Sequence, residues 1–364
     1  MTGLNNNDSP QRHRDTEKDF LFSVSLCLRG NVFYKPNGSK AHYPDRQQGI
    51  ALLSVLLILT LLVLLANELT LSFRTQLTRT QSMQQREQAR WYAFSGESLA
   101  IKTLKQNFED DPDITHLGQY WATANVVLPV EGGQIAGQLK DSQSCFNINA
   151  LAKPFKETND TLQRSPESQV FSALLQYLEI PQWESDRITR ATRNWVSNED
   201  LPEGESDPDY LARPLPYLSS KTLMRDISEW RAVAGVSSSV AQKVMPYLCA
   251  LPSTELTINV NTIPADQPEI LAALYIDQLP VDQARTILET RPREGWDAVA
   301  DFTSQPLLAN FSSTGADKRL TIVSYYFEMH ATANYGASEV RLNSLLARSK
   351  DNQLTVIRRK FGGV

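Results

Sequence analysis

The chain has 364 residues, room for two globular units, with 41% hydrophobic and 21% charged residues, the balance of a folded protein. Its net charge of −5 argues against sequence-independent nucleic-acid binding, which rests on Lys and Arg neutralising phosphates. Three cysteines, Cys27, Cys145 and Cys249, make no disulfide framework, and the four histidines (His13, His42, His116, His330) are too scattered to suggest a His-based metal or catalytic site. There is no GxGxxG, P-loop, HExxH or GxSxG, and no tandem repeat stands out.

In chain order, residues 1–49 are rich in Asn, Asp, His and Arg without periodicity and are expected to be disordered. The stretch "RQQGIALLSVLLILTLLVLLANE" follows, and its uncharged run begins abruptly after Gly49. From Ile50 to Ala66, at about 1.5 Å per residue, it is roughly 25 Å long, and Gln47–Gly49 with Asn67 bring it close to a hydrocarbon core of about 30 Å. A secretory signal peptide has a shorter apolar region and a small-residue cleavage site, which "NELTLSFRTQ" lacks. A polar stretch ending in glycine, then an apolar run passing unbroken into a polar helix, resembles the class III signal of type IV pilins and pseudopilins. That resemblance implies cleavage by the prepilin peptidase between Gly49 and Ile50, N-methylation of Ile50, and removal of residues 1–49 as a leader.

No Gly or Pro interrupts the chain between Gly49 and Gly96, and Trp91, Phe94, Ile101, Leu104 and Phe108 recur at helical spacing. Residues 50–108 therefore read as one helix, membrane-spanning at first and amphipathic later, ended by Pro112. Residues 109–154 ("WATANVVLPV", "GQIAGQLKD", "SCFNINAL") read as strands, and so does 316–364 as a three-strand meander. Between them, 155–315 reads as an inserted helical domain, with helices over 167–179, 183–197, 226–234, 237–250, 265–275, 279–291 and 296–304. "FNINA" and "INVNT" are alike and read as neighbouring strands of one sheet. The fold class is α+β: a pilin-like long N-terminal helix plus an antiparallel sheet, with a large inserted α-helical domain.

The segments "RQQGIALLSVLLIL", "FNINAL", "NWVSNEDLPEG", "SEWRAVAGV", "INVNT" and "TRPREGWDAVADF" together resemble the minor pseudopilin K family of type II secretion. The resemblance covers nearly all of the chain after residue 46. It implies a non-enzymatic assembly component of the pseudopilus, anchored once in the bacterial inner membrane with its bulk in the periplasm. Its partners would be minor pseudopilins I and J, the major pseudopilin and the inner-membrane assembly platform.

Two constellations gain meaning from that context. Glu199, Asp200, Glu203, Glu205, Asp207 and Asp209 crowd eleven residues without a Lys or Arg. Such a run is ordinarily a solvated loop, but Pro202, Gly204 and Pro208 would compact it, and crowded carboxylates need a counterion. Calcium takes six to eight such oxygens, and the family resemblance favours calcium here, with Asp226 as a further ligand. Cys145 and Cys249 fall on the exported side, where they either pair as a disulfide or remain two buried thiols. Cys27 lies in the leader.

A second function class comes from "ISEWRAVAGVSSSVAQKVMPYL" and "QARTILETRPREGWDAVADF", which read as helix-turn-helix hairpins about Gly235 and Gly295. Hairpins of this kind grip DNA phosphates in a membrane-anchored DNA-binding module. Packing of helix pairs is the better account, because neither has a GxG turn and the region is acidic. An enzyme would need a nucleophile with a positioned base, and no His lies near the acid clusters.

Pilin-like subunits mostly carry Glu at mature position five, where it is thought to pair with the N-terminal amine of the subunit ahead. Here that position is Ser54. An unpaired carboxylate in a bilayer costs several kcal/mol, so a subunit with none ahead of it is better served by a hydroxyl. Ser54 thus marks a place at the tip.

Overall fold

The structure, a computed structural model, describes residues 48–153, 165–198, 210–276, 278–309, 311 and 315–362. It divides into two compact units, Met1–Leu69 and Thr70–Val364.

Helix α1 runs Gln48–Asp110, 63 residues. Within the first unit its described residues from Gly49 onward are all exposed, Leu52–Leu65 among them. In the second unit its later turns lie on a five-stranded antiparallel sheet of order β1-β2-β7-β8-β9, formed by Val126–Val130, Gly133–Asp141, Tyr326–Tyr335, Ser338–Arg348 and Leu354–Phe361. Alternation puts Phe327, Met329, Ala331 and Ala333 of β7 on the helix-facing side. Small residues of α1 (Ala89, Ala93, Gly96) let the helix approach closely; a Cβ on Gly96 would come within 3.1 Å of Ile135. Glu97 secures the contact. It is buried, accepts from Ser344 Oγ at 2.5 Å and is forked by Arg359, whose Nη2 lies 2.7 Å away. At the helix end, Arg348 stacks 4.0 Å over Phe108 and donates to the Pro112 carbonyl at 2.5 Å, closing the break that Pro112 imposes.

Between β2 and β7 the chain leaves the sheet and builds a separate apolar core. Its helices are α2 (Pro166–Tyr177), α3 (Gln182–Val196), α4 (Ser238–Val244), α5 (Pro268–Leu274), α6 (Val281–Glu289) and α7 (Val299–Thr303), with 3-10 turns at Ile148–Ala152 and Ile227–Ala232. Phe146 stacks on Phe171 at 5.1 Å, and Trp230 meets Phe171 edge-on while its indole N–H donates to Thr192 Oγ1 at 3.0 Å. This core takes in Phe146–Leu151 as well as Ala316 and Leu320, beyond the limits of 155 and 315 read from sequence, because the segments leading in and out of the insertion are themselves apolar.

The helix-and-strand pattern differs from the sequence reading in three places. Ile227–Ala232 form a 3-10 turn where a helix over 226–234 was expected, and the stretch after 237 gives a short α4, a 3-10 turn and strand β4 (Leu248–Cys249) instead of one helix. "FNINA" and "INVNT" do not pair with each other. Phe146–Asn147 (β3) pairs in parallel with β4, while Ile258–Asn259 (β5) pairs in parallel with Leu320–Thr321 (β6).

The two Asn-x-Asn segments are nevertheless equivalent. In each, the first Asn side chain accepts from the backbone N–H two residues on, Asn147 from Asn149 at 3.2 Å and Asn259 from Asn261 at 2.9 Å. The second Asn mimics a backbone partner: Asn149 pairs with both N–H and C=O of Met224, and Asn261 with both of Trp296. Each is followed by two consecutive helices, α2–α3 and α5–α6, through the similar turns "LLQYLEIP" and "LAALYIDQLP". Both turns hold a non-glycine residue at positive φ, Glu179 (57°) and Ile276 (36°). The two halves of the insertion thus share one local arrangement around their Asn-x-Asn segments.

Candidate processing and assembly site

At the start of α1 nothing crowds Gly49: a Cβ added there would meet no atom within 4 Å. Ile50 is 68% exposed, and the helix through it has a mean hydropathy of 3.0 over its apolar window with none of that window buried. A run this apolar and unpartnered matches a hydrocarbon environment. Its polar side chains turn back on the helix: Ser54 Oγ donates to the Ala51 carbonyl at 2.9 Å and Thr60 Oγ1 to Leu57 at 2.8 Å. These hydroxyls need no partner outside their own helix.

Cys145 and Cys249 are joined as a disulfide, with Cα atoms 5.8 Å apart. Cys145 immediately precedes β3 and Cys249 ends β4, so the parallel β3–β4 ladder sets their separation. This ladder, and not a pairing of the two Asn-x-Asn segments, brings the sulfurs together.

Six of the seven acids read as calcium ligands, Glu199, Asp200, Glu203, Glu205, Asp207 and Asp209, lie outside the described residues. Asp226 caps the Ile227–Ala232 turn, accepting from Ser228 N at 3.0 Å within a capping box completed by Glu229. Lys360 Nζ lies 3.3 Å from both its oxygens. Burial pushes the Asp226 carboxyl up, but the bonds from Ser228 and Lys360 outweigh it and hold the pKa below the ordinary range. Among the described residues no three or more His, Cys, Asp or Glu are grouped to hold a metal.

One carboxylate that sequence reading missed is Asp141, the last residue of β2. It is buried, and among the described residues no Lys or Arg pairs with it. Oδ2 accepts from Thr262 Oγ1 and Ser324 Oγ, each at 2.5 Å, and Oδ1 from Gln143 N at 2.8 Å. Burial raises its pKa despite these bonds. Asp141 therefore pins together the exit from the sheet, the second Asn-x-Asn segment and the return to β7. No local pattern marks it; only the meeting of residues far apart in sequence does.

The hairpin glycines face inward. Gly235 (φ 83°) lies against Ile188, and Gly295 (φ 77°) so close to Asn261 that a Cβ would come within 2.6 Å of its side chain.

Comparison with known proteins places these features in one family. Two family models, both described as type II secretion system protein K, match residues 144–253 and 258–322, each taking in one Asn-x-Asn segment. Type II secretion system protein K of Aeromonas hydrophila is 39% identical over 324 residues, covering 87% of this chain and 98% of its own. Its counterpart in Pectobacterium carotovorum subsp. carotovorum is 35% identical, covering 88% and 98%. Among solved structures, a chain of the GspK-GspI-GspJ complex of enterotoxigenic Escherichia coli aligns with a TM-score of 0.71 and 34% identity, covering 79% of this chain and all of that one. With a pilin-like helix and sheet, a helical insertion and relatives of this closeness, the chain belongs to the type II secretion system protein K family.

Proposed function

We propose that this chain is a structural, non-catalytic minor pseudopilin that caps the tip of the periplasmic pseudopilus and helps to initiate its assembly. In this reading it is held in the inner membrane by the apolar part of α1 and processed between Gly49 and Ile50 to leave an N-methylated Ile50. It assembles with minor pseudopilins I and J, the partners named in the related Escherichia coli complex, above the major pseudopilin.

The observation that carries the tip assignment is Ser54. It lies in the fully exposed apolar stretch of α1, and its hydroxyl is already bonded to Ala51. A carboxylate at that place would cost on the order of 3 kcal/mol in the bilayer unless a cation met it. A subunit with no amine ahead of it avoids that cost with a serine. The Ile50 amine remains free to meet the acidic side chain of the subunit behind.

Mass measurement of the membrane-purified protein tests the processing: the expected N-terminus is methylated Ile50, and a retained Met1 sinks the reading. Site-specific cross-linking from the head tests the position. Adducts with I and J are expected, and adducts spread along the fibre with the major subunit would overturn the tip assignment. Ser54→Glu should be neutral or harmful to secretion.

The acid stretch 199–209 is proposed to bind Ca²⁺, on the chemistry of six carboxylates in a segment stiffened by two prolines. Asp226 stands at the start of the Ile227–Ala232 turn, already engaged as a cap and an ion pair.

A further inference from the structure

A pocket of about 630 Å³ opens between the loop 117–123 and the segment that follows α6, and Arg291 lines it. One guanidinium nitrogen of Arg291, Nη1, donates to the carbonyls of Ile263 at 2.7 Å and Val260 at 3.3 Å. These bonds hold the group in place and leave Nε and Nη2 without an acceptor among the described residues. The side chain is half-buried, and burial lowers its pKa with no carboxylate to offset that. A desolvated cation without a counterion is costly, and an anion brought to it relieves the cost.

The pocket carries two further charged side chains, Arg293 and Glu289, both exposed. Two guanidiniums against one carboxylate leave a single positive charge uncompensated, which suits a monoanion and disfavours a polyanion such as nucleic acid. The backbone amides that a phosphate would ordinarily use are taken. Those of Gly118, Gln119, Ala122 and Thr123 donate within their own loop, to His116, Gln119 and Tyr120. What remains is the free edge of the Arg291 guanidinium, with the Thr123 hydroxyl beside it on the wall. A planar edge with two parallel N–H groups matches a carboxylate. Leu117, Ala122, Leu288 and Pro292 make the rest of the wall apolar. The volume falls within the range of about 300–1,000 Å³ typical of sites that enclose a whole ligand, more than a lone acidic side chain fills.

We propose that this pocket binds the C-terminal end of a peptide chain whose last side chain is apolar, with Arg291 forking the terminal carboxylate and the apolar side chain lying against Leu117 and Pro292. A chain end carries both groups on one carbon, so the charge and the apolar wall are met together. The proposal goes beyond the place of the protein in the pseudopilus and does not depend on it.

The test titrates the full chain in detergent against fluorescein-labelled Ala-Ala-Leu with a free carboxylate, followed by anisotropy. Binding is expected to be at least tenfold tighter than that of the same peptide ending in an amide. Ala-Ala-Glu amide, whose only carboxylate is on its side chain, should bind as weakly as the Leu amide. Arg291→Gln should weaken binding of the free acid at least tenfold. Because Arg291 also ties down Val260 and Ile263, two exposed positions are read beside it. Arg293→Gln should weaken binding a few-fold and Glu289→Gln should strengthen it by as much. Lys350→Gln, in the turn between β8 and β9, should change nothing. Equal binding of acid and amide, or no binding at millimolar peptide, would overturn the site. So would wild-type affinity in the pocket variants, an equal loss in Lys350→Gln, or displacement of the peptide by inorganic phosphate at equal concentration. Tighter binding of Ala-Ala-Glu amide than of the free acid would overturn the chain end as the occupant.

Discussion

Asp141 concentrates several physical demands in one side chain. Its carboxyl is fully enclosed, and residues 143, 259, 262 and 324 hydrogen-bond it. Burial disfavours the charged form more than these donors favour it, so the folded pKa stands above the unfolded value of about 3.9. The sign of the linkage follows. A raised folded pKa gives stability that is fully present below the unfolded pKa and is lost as pH rises through the folded one. Asp141→Asn keeps the shape and removes the titration. The expected outcome is a variant that melts at or above the wild type at pH 8, with the gap moving in favour of the wild type as pH falls toward 4. Melting curves across that range check it, and parallel pH profiles would refute it. Glu97 shows the opposite balance: burial raises its pKa, but Arg359 and Ser344 overcome that and hold it low.

At the scale of elements, the β3–β4 ladder is only two residues long on each side and depends on what surrounds it. The Cys145–Cys249 bond closes a loop with a sequence separation of 104. For a loop of about 100 residues the chain-entropy account gives about 4.7 kcal/mol, near the top of the range of roughly 0–5 found for disulfides. Cys145→Ser with Cys249→Ser should therefore lose roughly that much in urea unfolding. Protein purified and denatured without reductant should offer neither thiol to a labelling reagent; reactive Cys145 and Cys249 would contradict the bond. Helix α1 was legible over its length because no Gly or Pro breaks it between Gly49 and Gly96. β2 and the C-terminal meander were legible through alternation and the turn signals "YGA" and "KDN". The segment after Gly235 was not, because an apolar period of three or four residues suits a 3-10 turn, a short helix and their junction equally.

For the whole molecule, the strongest expectation concerns calcium. A metal bound only by the folded chain stabilises it by mass action, by about 2.7 kcal/mol when the free ion stands at one hundred times its dissociation constant. Chelation should lower the melting temperature of the detergent-solubilised protein, and added Ca²⁺ should restore it. Joint replacement of Glu199, Asp200, Glu203 and Glu205 by their amides should abolish that response; a melting temperature indifferent to Ca²⁺ in the wild type would remove the site.

The sequence by itself determined what depends on neighbours along the chain. These are the apolar run with its sharp boundary at Gly49–Ile50, the helix that continues it, the hydroxyl at Ser54, the alternation of β2 and β7–β9, and the motifs that resemble the protein K family. Periodicity, composition and chain breakers are local, so they can be read without a fold. Only the tertiary structure decided that Asn149 and Asn261 serve as surrogate backbone partners for Met224 and Trp296, and that β4 places Cys249 beside Cys145. It also decided that Asp141 is buried among Gln143, Thr262 and Ser324. Each of these is a meeting of segments far apart in sequence. Burial, desolvation and close packing arise only when such segments share one interior.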